Sequence, residues 1–320
     1  MRVQDQVLSF APCFISLQLS SPCLFMFFVF DGHGRSSTKC RKETGGKSHW
    51  LLKGFQELLD TFGLQWCEAP GEAKAELAAL SQQGLIDMVL TTDNDALIFG
   101  ATCIACCPND PWHFENIEIY TKHAVTGCVY LTHADRVFMA VISGGNYNEG
   151  IQGCGINIAH GLSQYKLGKA LLDAFLKMQR SEFTCFFHGW RNDLWQVLDT
   201  DPDGFLGRKY TKLAGMIPDS FPDYSVLKIY TKPLTTFSSC SDGLVCGQCP
   251  YLIESCQPCL GMLATLCKQQ FGWTDETTVA KMHATVWGGA AVQLVCGVGG
   301  ISMFWVCTDF LLYVVAPKAT

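Results

Sequence analysis

The segment GLIDMVLTTDNDALIFGA, residues 84–101, decides the fold. A largely apolar run leads from Leu85 to Leu90, two threonines follow, and then Asp93 and Asp95 stand one residue apart before a second apolar run begins. The pattern predicts a strand over Ile86–Thr92 whose carboxyl end is marked by two carboxylates. Moving outward, Leu24–Phe30 is continuously apolar and aromatic and stops at Asp31-Gly32, as suits a strand buried on both faces. Between these strands, Leu51, Leu52, Phe55, Leu58, Leu59 and Phe62 are spaced for one helix face, with Gly63 as its cap. Pro70-Gly71 opens a second helix that runs to Gly84, with Glu72 in its first turn and Glu76 four residues on along the same face. Strand, helix and strand in alternation predict an α/β fold, a mostly parallel sheet flanked by helices. Ligand sites in such sheets form at the carboxyl ends of the strands, so Asp31, Asp93 and Asp95 can converge on one spot.

Charge sharpens this picture. The chain has 320 residues and a net charge of −6, which excludes a histone-like polycation. That total averages two unlike segments. Residues 31–53 hold Arg35, Lys39, Arg41, Lys42, Lys47 and Lys53 against Asp31 and Glu43, whereas residues 55–100 hold eight acids against Lys74 alone. Cations to hold a polyanion beside carboxylates to hold metal ions suit an enzyme acting on a phosphate backbone; solvated helix faces give the same totals.

Other classes fit less well. The apolar content of 48% supplies a core for a large domain and a smaller one. Eighteen cysteines occur without a recurring spacing, so most are expected to be thiols in a reducing, intracellular compartment. Cys246-x2-Cys249 and Cys256-x2-Cys259 lie too close together for a zinc ribbon. Gly46-Lys47-Ser48 is no phosphate-binding loop, since Arg41 stands where a glycine is required. The stretch from Phe10 to Phe30 is broken by Pro12 and Pro22 and has no leader or cleavage site of a signal peptide. Ala290–Pro317 is long enough to span a bilayer as a tail anchor, but Asp309 at mid-depth costs about 2.5–3.5 kcal/mol, and a buried helix or a misread gene end is the stronger expectation. Membrane association and a small-molecule cofactor are therefore not expected. The Asp93-x-Asp95 pair also suits a metal–nucleotide site of a glycosyltransferase, a reading that leaves the second half unexplained.

That half contains GIQGCG, Gly150–Gly155, between two helical patterns. Glycines at this spacing permit a tight turn whose outward N–H groups seat a phosphate, and equally an ordinary turn. Trp190, Trp195, Trp273 and Trp287 are expected in the core.

Four blocks together, FVFDG (28–32), APGEAKAELAAL (69–80), GLIDMVLTTDNDALIFGA (84–101) and SGGNYNEGIQGCG (143–155), resemble the XPG/flap-endonuclease superfamily, in particular fungal relatives of the Holliday-junction resolvases. The likeness runs from about residue 24 to about residue 232. It implies a PIN-like nuclease core over residues 1–142, a helix-hairpin-helix DNA-binding domain over 143–235, and an unassigned region over 236–320. It further implies a nuclear, Mg²⁺-dependent endonuclease acting on branched or flapped DNA, in which a carboxylate cluster holds two Mg²⁺ ions that activate water and stabilise the leaving oxygen. On that resemblance Asp31, Glu72, Asp93 and Asp95 match ligand and catalytic positions. Arg35, Lys39, Arg41, Lys42 and Lys47 would clamp a single strand or junction arm, while Gly150, Ile151, Gly153 and Gly155 would seat a duplex phosphate.

The departures fall on the same site. Lys74 stands where the family has a second Glu, Asn146 stands where it has Asp, and the family's first strand with its own Asp is not found ahead of Leu24. The family's seven carboxylates bring about −7 to two divalent ions; the matching seats here bring about −3. Asn146 is a weaker ligand than a carboxylate, and Lys74 either brings a cation to a cation site or points to solvent, leaving Glu76 to contribute. A catalytically impaired or inactive DNA-binding relative is the alternative.

Overall fold

The computed structural model describes residues 26–35, 38–39, 42–43, 50–91, 94–106, 118–238 and 259–285, and the backbone of 304–308 and 311–315. Strand β1 (Phe27–Phe30) pairs in parallel with β4 (Gln65–Glu68), with Phe27 opposite Gln65 and Phe30 opposite Glu68. Between them come the short antiparallel pair β2 (Thr38–Lys39) and β3 (Lys42–Glu43) and helix α1 (Trp50–Thr61). Helix α2 (Ala73–Gln82) then leads to β5 (Val89–Thr91), helix α3 (Asp95–Ile98), β6 (Cys103–Cys106) and β7 (Glu118–Thr121). β5 and β6 are parallel, and β7 closes on β6 antiparallel. The α/β class thus holds, with the parallel pairs β1–β4 and β5–β6 in two separate small sheets, and α2 packs against both β1 and β5.

Alternation along the strands explains why they read as unbroken apolar runs. Phe27 and Val29 point into one apolar cluster, with Ala73, Leu77, Val89 and Ile104. Met26, Phe28 and Phe30 point into a second, with Leu58, Leu59 and Phe62, the face predicted for α1. Successive side chains face opposite ways, so both sides of β1 must be apolar. Phe55 adds edge-on contacts with Phe28 and Phe30, at 6.0 and 6.2 Å between ring centroids. Gly63 adopts φ +67° just past α1, as a helix cap requires.

Helices dominate thereafter. α4 (Lys122–Cys128) is followed by α5 (His133–Ser143), whose start is fixed by reciprocal Thr132 and Asp135 hydrogen bonds. The loop 144–155 then connects to α6 (Ile156–Ser163), and α7 (Leu167–Lys177), α8 (Arg180–Thr200), α9 (Thr211–Ala214) and α10 (Tyr224–Thr231) complete the bundle. α5 is its hub: it packs on α3, α6, α7 and α10. Trp190 is buried there, its indole N–H donating to Leu167 O at 3.0 Å and its ring edge-on to Phe138. One apolar cluster runs without a break from β1 through α5 into α8 and α10. Beyond them lie α11 (Leu260–Phe271), α12 (Asp275–Thr285) and an antiparallel pair, β8 (Phe304–Thr308) with β9 (Leu311–Val315).

Several expectations change. β5 covers Val89–Thr91, and Thr92 lies outside the described residues. The second helix begins at Ala73 with Glu72 as its N-cap residue, one step before the first turn. Within the apolar stretch expected as a buried helix, Phe304–Thr308 and Leu311–Val315 pair as antiparallel strands, as the Trp, Val and Tyr content favours. Among the described residues no single helix is long and apolar enough to cross a membrane. Trp195 is 47% exposed because it lies on the solvent side of α8; Trp287 and three of the four paired cysteines, Cys246, Cys249 and Cys256, lie outside the described residues. Among the described residues, Cys103, Cys128, Cys154, Cys185, Cys259 and Cys267 are free thiols.

One long-range tie crosses the fold. Thr236 N–H donates to Glu76 Oε2 at 2.8 Å, and Leu234 presses so closely on the start of α2 that a Cβ at Gly71 would come within 2.7 Å of its carbonyl oxygen.

Candidate active site

The end of β1 and the start of α2 are joined by backbone. Gly32 N–H donates to Gly71 O at 2.8 Å and Gly34 N–H to Pro70 O at 3.0 Å. Only glycine fits at 32, since a Cβ would lie 1.6 Å from Ala69 O. This junction aims Asp31 at the helix: its Oδ1 accepts from Ala73 N–H at 2.9 Å, and its Oδ2 lies 3.5 Å from Arg35 Nη1. The Asp31 side chain is buried. Glu72, on the same junction, is also buried.

From the second sheet, Asp95 opens α3. Its Oδ2 faces Lys74 Nζ at 3.3 Å and accepts a hydrogen bond from the Asn146 amide. Three segments far apart in sequence, α2, α3 and the loop after α5, therefore meet at one carboxylate. Tyr147 completes the group. Burial raises its phenol pKa well above the ordinary value, and the negative charges of Glu72, Asp95 and Asp31 raise it further, so all three carboxylates lie within electrostatic reach of one ring. That ring is itself held edge-on to Phe99 and Tyr230. A cleft of about 370 Å³ runs from Asn94 and Asp95 past Arg136 and Ser143 to Gly144, Gly145 and Ile156 at the start of α6.

Of the predicted site residues, Asp31, Glu72, Asp95 and Asn146 are brought together. Asp93 lies outside the described residues, as do Arg41 and Lys47 and the side chains of Lys39 and Lys42. Arg35 lies against Asp31. Lys74 does not point to solvent: it is 6% exposed and its ammonium faces Asp95 Oδ2 at 3.3 Å, while Glu76 is fully buried and turned to Thr236. Among the described residues, no group of three or more His, Cys, Asp and Glu side chains is arranged to hold a metal ion. The donors fit the same conclusion. Asp95 faces an ammonium and an amide N–H, and Asp31 faces a guanidinium and a backbone N–H, so the described residues do not fit a two-ion centre.

The glycine turn is tightly built. Gly144, Gly150 and Gly153 take φ +86°, +68° and +88°, Ile151 N–H donates to Ile142 O at 2.8 Å, and the Ile151 side chain is buried. Gly150 and Ile151 thus hold the loop closed, whereas Gly153 and Gly155 are exposed, with Gly155 as the N-cap residue of α6. Tyr147 and the Arg35–Asp31 pair escaped sequence reasoning. Tyr147 sits beside Asn146, but adjacency in sequence carries no information on burial.

Residues 63–146 match the XPG I-region family model. The DNA repair protein RAD2 of Saccharomyces cerevisiae is 25% identical over 251 residues, covering 78% of this chain and 22% of that protein. The mouse (Mus musculus) flap endonuclease GEN homolog 1 is 32% identical over 146 residues, 43% of this chain and 16% of that protein. The chain therefore spans less than a quarter of the length of these curated relatives. Among solved structures, the Holliday junction-resolving enzyme GEN1 in complex with product DNA and Mg²⁺ superposes with a TM-score of 0.65 at 26% identity, covering 88% of this chain and 64% of that one. Residues 63–146 thus resemble the XPG I-region, and they sit on an α/β core similar to that of GEN1.

Proposed function

We propose that this chain is an XPG/flap-type structure-specific DNA endonuclease that acts on branched or flapped DNA in repair or recombination, in the nucleus, with its hydrolytic step impaired. The observation that carries the reading is the meeting of α2, α3 and the loop after α5 at Asp95, beside Asp31, which accepts from Ala73 N–H next to Glu72. In the proposed division of labour, residues 1–142 form the nuclease core and 143–235 a helix-hairpin-helix unit that grips duplex backbone; 236–320 has no proposed role. Gly153, Gly155 and the first turn of α6 offer outward N–H groups to a phosphate. Arg35, Lys39, Arg41, Lys42 and Lys47 are proposed to hold the departing strand, and Asp93 to complete the acidic rim.

Impairment rests on Lys74. A protein cation 3.3 Å from Asp95 takes the place in which a divalent ion would approach it, and Asn146 adds no charge to draw an ion in. The GEN1 product complex contains Mg²⁺; two-ion Mg²⁺ chemistry is the family property that this site is least fitted to share. A binding role without cleavage is the second reading, favoured by the same Lys74–Asp95 pair.

The test is a fluorescent flap or four-way junction incubated with the full chain and Mg²⁺, beside the double variant Lys74→Glu/Asn146→Asp. We expect salt-sensitive binding with little or no cutting by the wild type. Divalent-ion affinity of the double variant, followed by Mn²⁺ titration, should rise on the order of 10- to 100-fold, the scale on which neighbours of metal ligands act. Efficient cleavage by the wild type refutes impairment, and an unchanged ion affinity in the double variant refutes the site assignment.

A further inference from the structure

The loop between α8 and α10 carries a charge pattern that none of the above uses. Residues 204–218 contain Arg208, Lys209 and Lys212 and no acid, in a chain whose net charge is −6. All three are exposed.

Two contacts fix how this run lies. Near the C-terminal end of α6, Phe205 and Leu206 close on Gly161, where a Cβ would meet Phe205 O and Leu206 Cδ2 at 2.9 Å. Ahead of the N-terminus of α6, Leu213 comes within 3.7 Å of the Cβ position of Gly153. The chain from 206 to 213 therefore runs alongside α6 from its C-terminal end to its N-terminal end, with the three cations between the anchors. Asp199, Asp201 and Asp203 precede the run and belong to its far end: Asp201 Oδ1 accepts from Tyr165 O–H at 2.6 Å and from Leu206 N–H at 3.0 Å. The backbone is pinned midway, where Tyr210 N–H donates to Leu198 O at 2.6 Å and the Arg208 guanidinium lies over the Tyr210 ring at 4.8 Å.

We propose that Arg208, Lys209 and Lys212, together with the first turn of α6, form a strip that binds the phosphate backbone of one duplex arm of branched DNA. The ligand class rests on the function proposed above; the strip itself rests on charge and placement. Three exposed cations on this run can neutralise about three phosphates, one for each. The N–H groups of the first α6 turn add partial positive charge at the end where the run finishes. Such contacts set position and affinity and read no sequence.

The test compares the wild-type chain with Arg208→Gln/Lys209→Gln/Lys212→Gln and with a control of equal charge loss, Lys177→Gln/Lys268→Gln/Lys281→Gln. Each binds a labelled four-way junction in EDTA over a range of salt, with folding checked by circular dichroism. Three lost phosphate contacts should flatten the slope of log K against log salt by about 2.7, so that between 50 and 200 mM salt the wild type loses about forty-fold more affinity than the strip variant. The control should keep the wild-type slope. Wild-type binding with the same slope in both variants overturns the strip and leaves the function standing. A folded wild type that binds no branched DNA overturns both.

Discussion

At Asp31 a single carboxylate serves two elements. Its Oδ1 accepts the first N–H of α2 while Oδ2 faces Arg35, so it acts as a helix cap supplied by a strand more than forty residues earlier in the chain. Replacing it removes a buried acceptor, and Asp31→Ala should lower stability by about 1–2 kcal/mol, the usual value of a lost cap. Asp31→Asn, which keeps an oxygen for Ala73 N–H, should cost less than half of that. Urea unfolding of the two variants separates them, and equal losses would show that the charge on Asp31 matters rather than the bond. That Asp31 ends a buried strand was legible in the sequence, because FMFFVF stops abruptly at a charge. Its bond to Ala73 was not, because capping across 42 residues depends on how Gly32 lets the two backbones touch. Lys74 shows the same limit. Its identity was plain, but whether it faced solvent or Asp95 depended on the rotation of α2, which Ala, Leu and Glu on every side leave undetermined by pattern.

The loop 144–155 shows how glycine places a functional element. Gly150 has φ +68°, and a Cβ there would lie 2.3 Å from both Gly144 N and Ile142 O. Gly150→Ala therefore combines an unfavourable backbone region with overlap against main chain that cannot move aside, and should cost about 3 kcal/mol or more. Because Asn146 and Tyr147 ride on the same loop, thermal unfolding should be accompanied by a change in near-ultraviolet circular dichroism from the Tyr147–Tyr230 pair. A fully folded Gly150→Ala chain of unchanged stability would show that the loop has another conformation available. GIQGCG announced a turn between helices; it did not announce that two of its residues hold the loop closed while the exposed glycines are presented at α6. The 3.6-residue spacing of α1 and the strand-to-helix alternation were readable because each buries one stripe or one pleat. The hairpin β8–β9 was misread because an apolar run with a single charge fits a buried helix and a strand equally well.

Across the whole molecule, α5 is where core and helical bundle become one body, and its first residue reports on that union. His133 Nε2 lies 2.8 Å from Ile98 O in α3, and burial depresses the imidazole pKa. A folded state that resists protonation loses stability as pH falls through the unfolded value near 6.5, since only the unfolded chain then takes up the proton. Stability should accordingly be constant above about pH 7.5 and decline below about 6.5, by no more than about 1.4 kcal/mol per pH unit from this group. His133→Gln should remove that part of the decline, which denaturant titrations at pH 5.5 and 7.5 would measure. Identical pH dependence in both chains would exclude His133 as its source.

Glu76 and Thr236, 160 positions apart, meet beneath the acidic rim, and Leu234 lies against the glycines that shape it. The segment after α10 thus works as a buckle on the front of the molecule. A load, a protease cut or a bound partner acting on residues 232–238 would be transmitted directly to the orientation of α2, and with it to the angle at which Glu72 and Lys74 are offered. Evolution could retune the rim from this distant strap without altering any of the charged residues themselves.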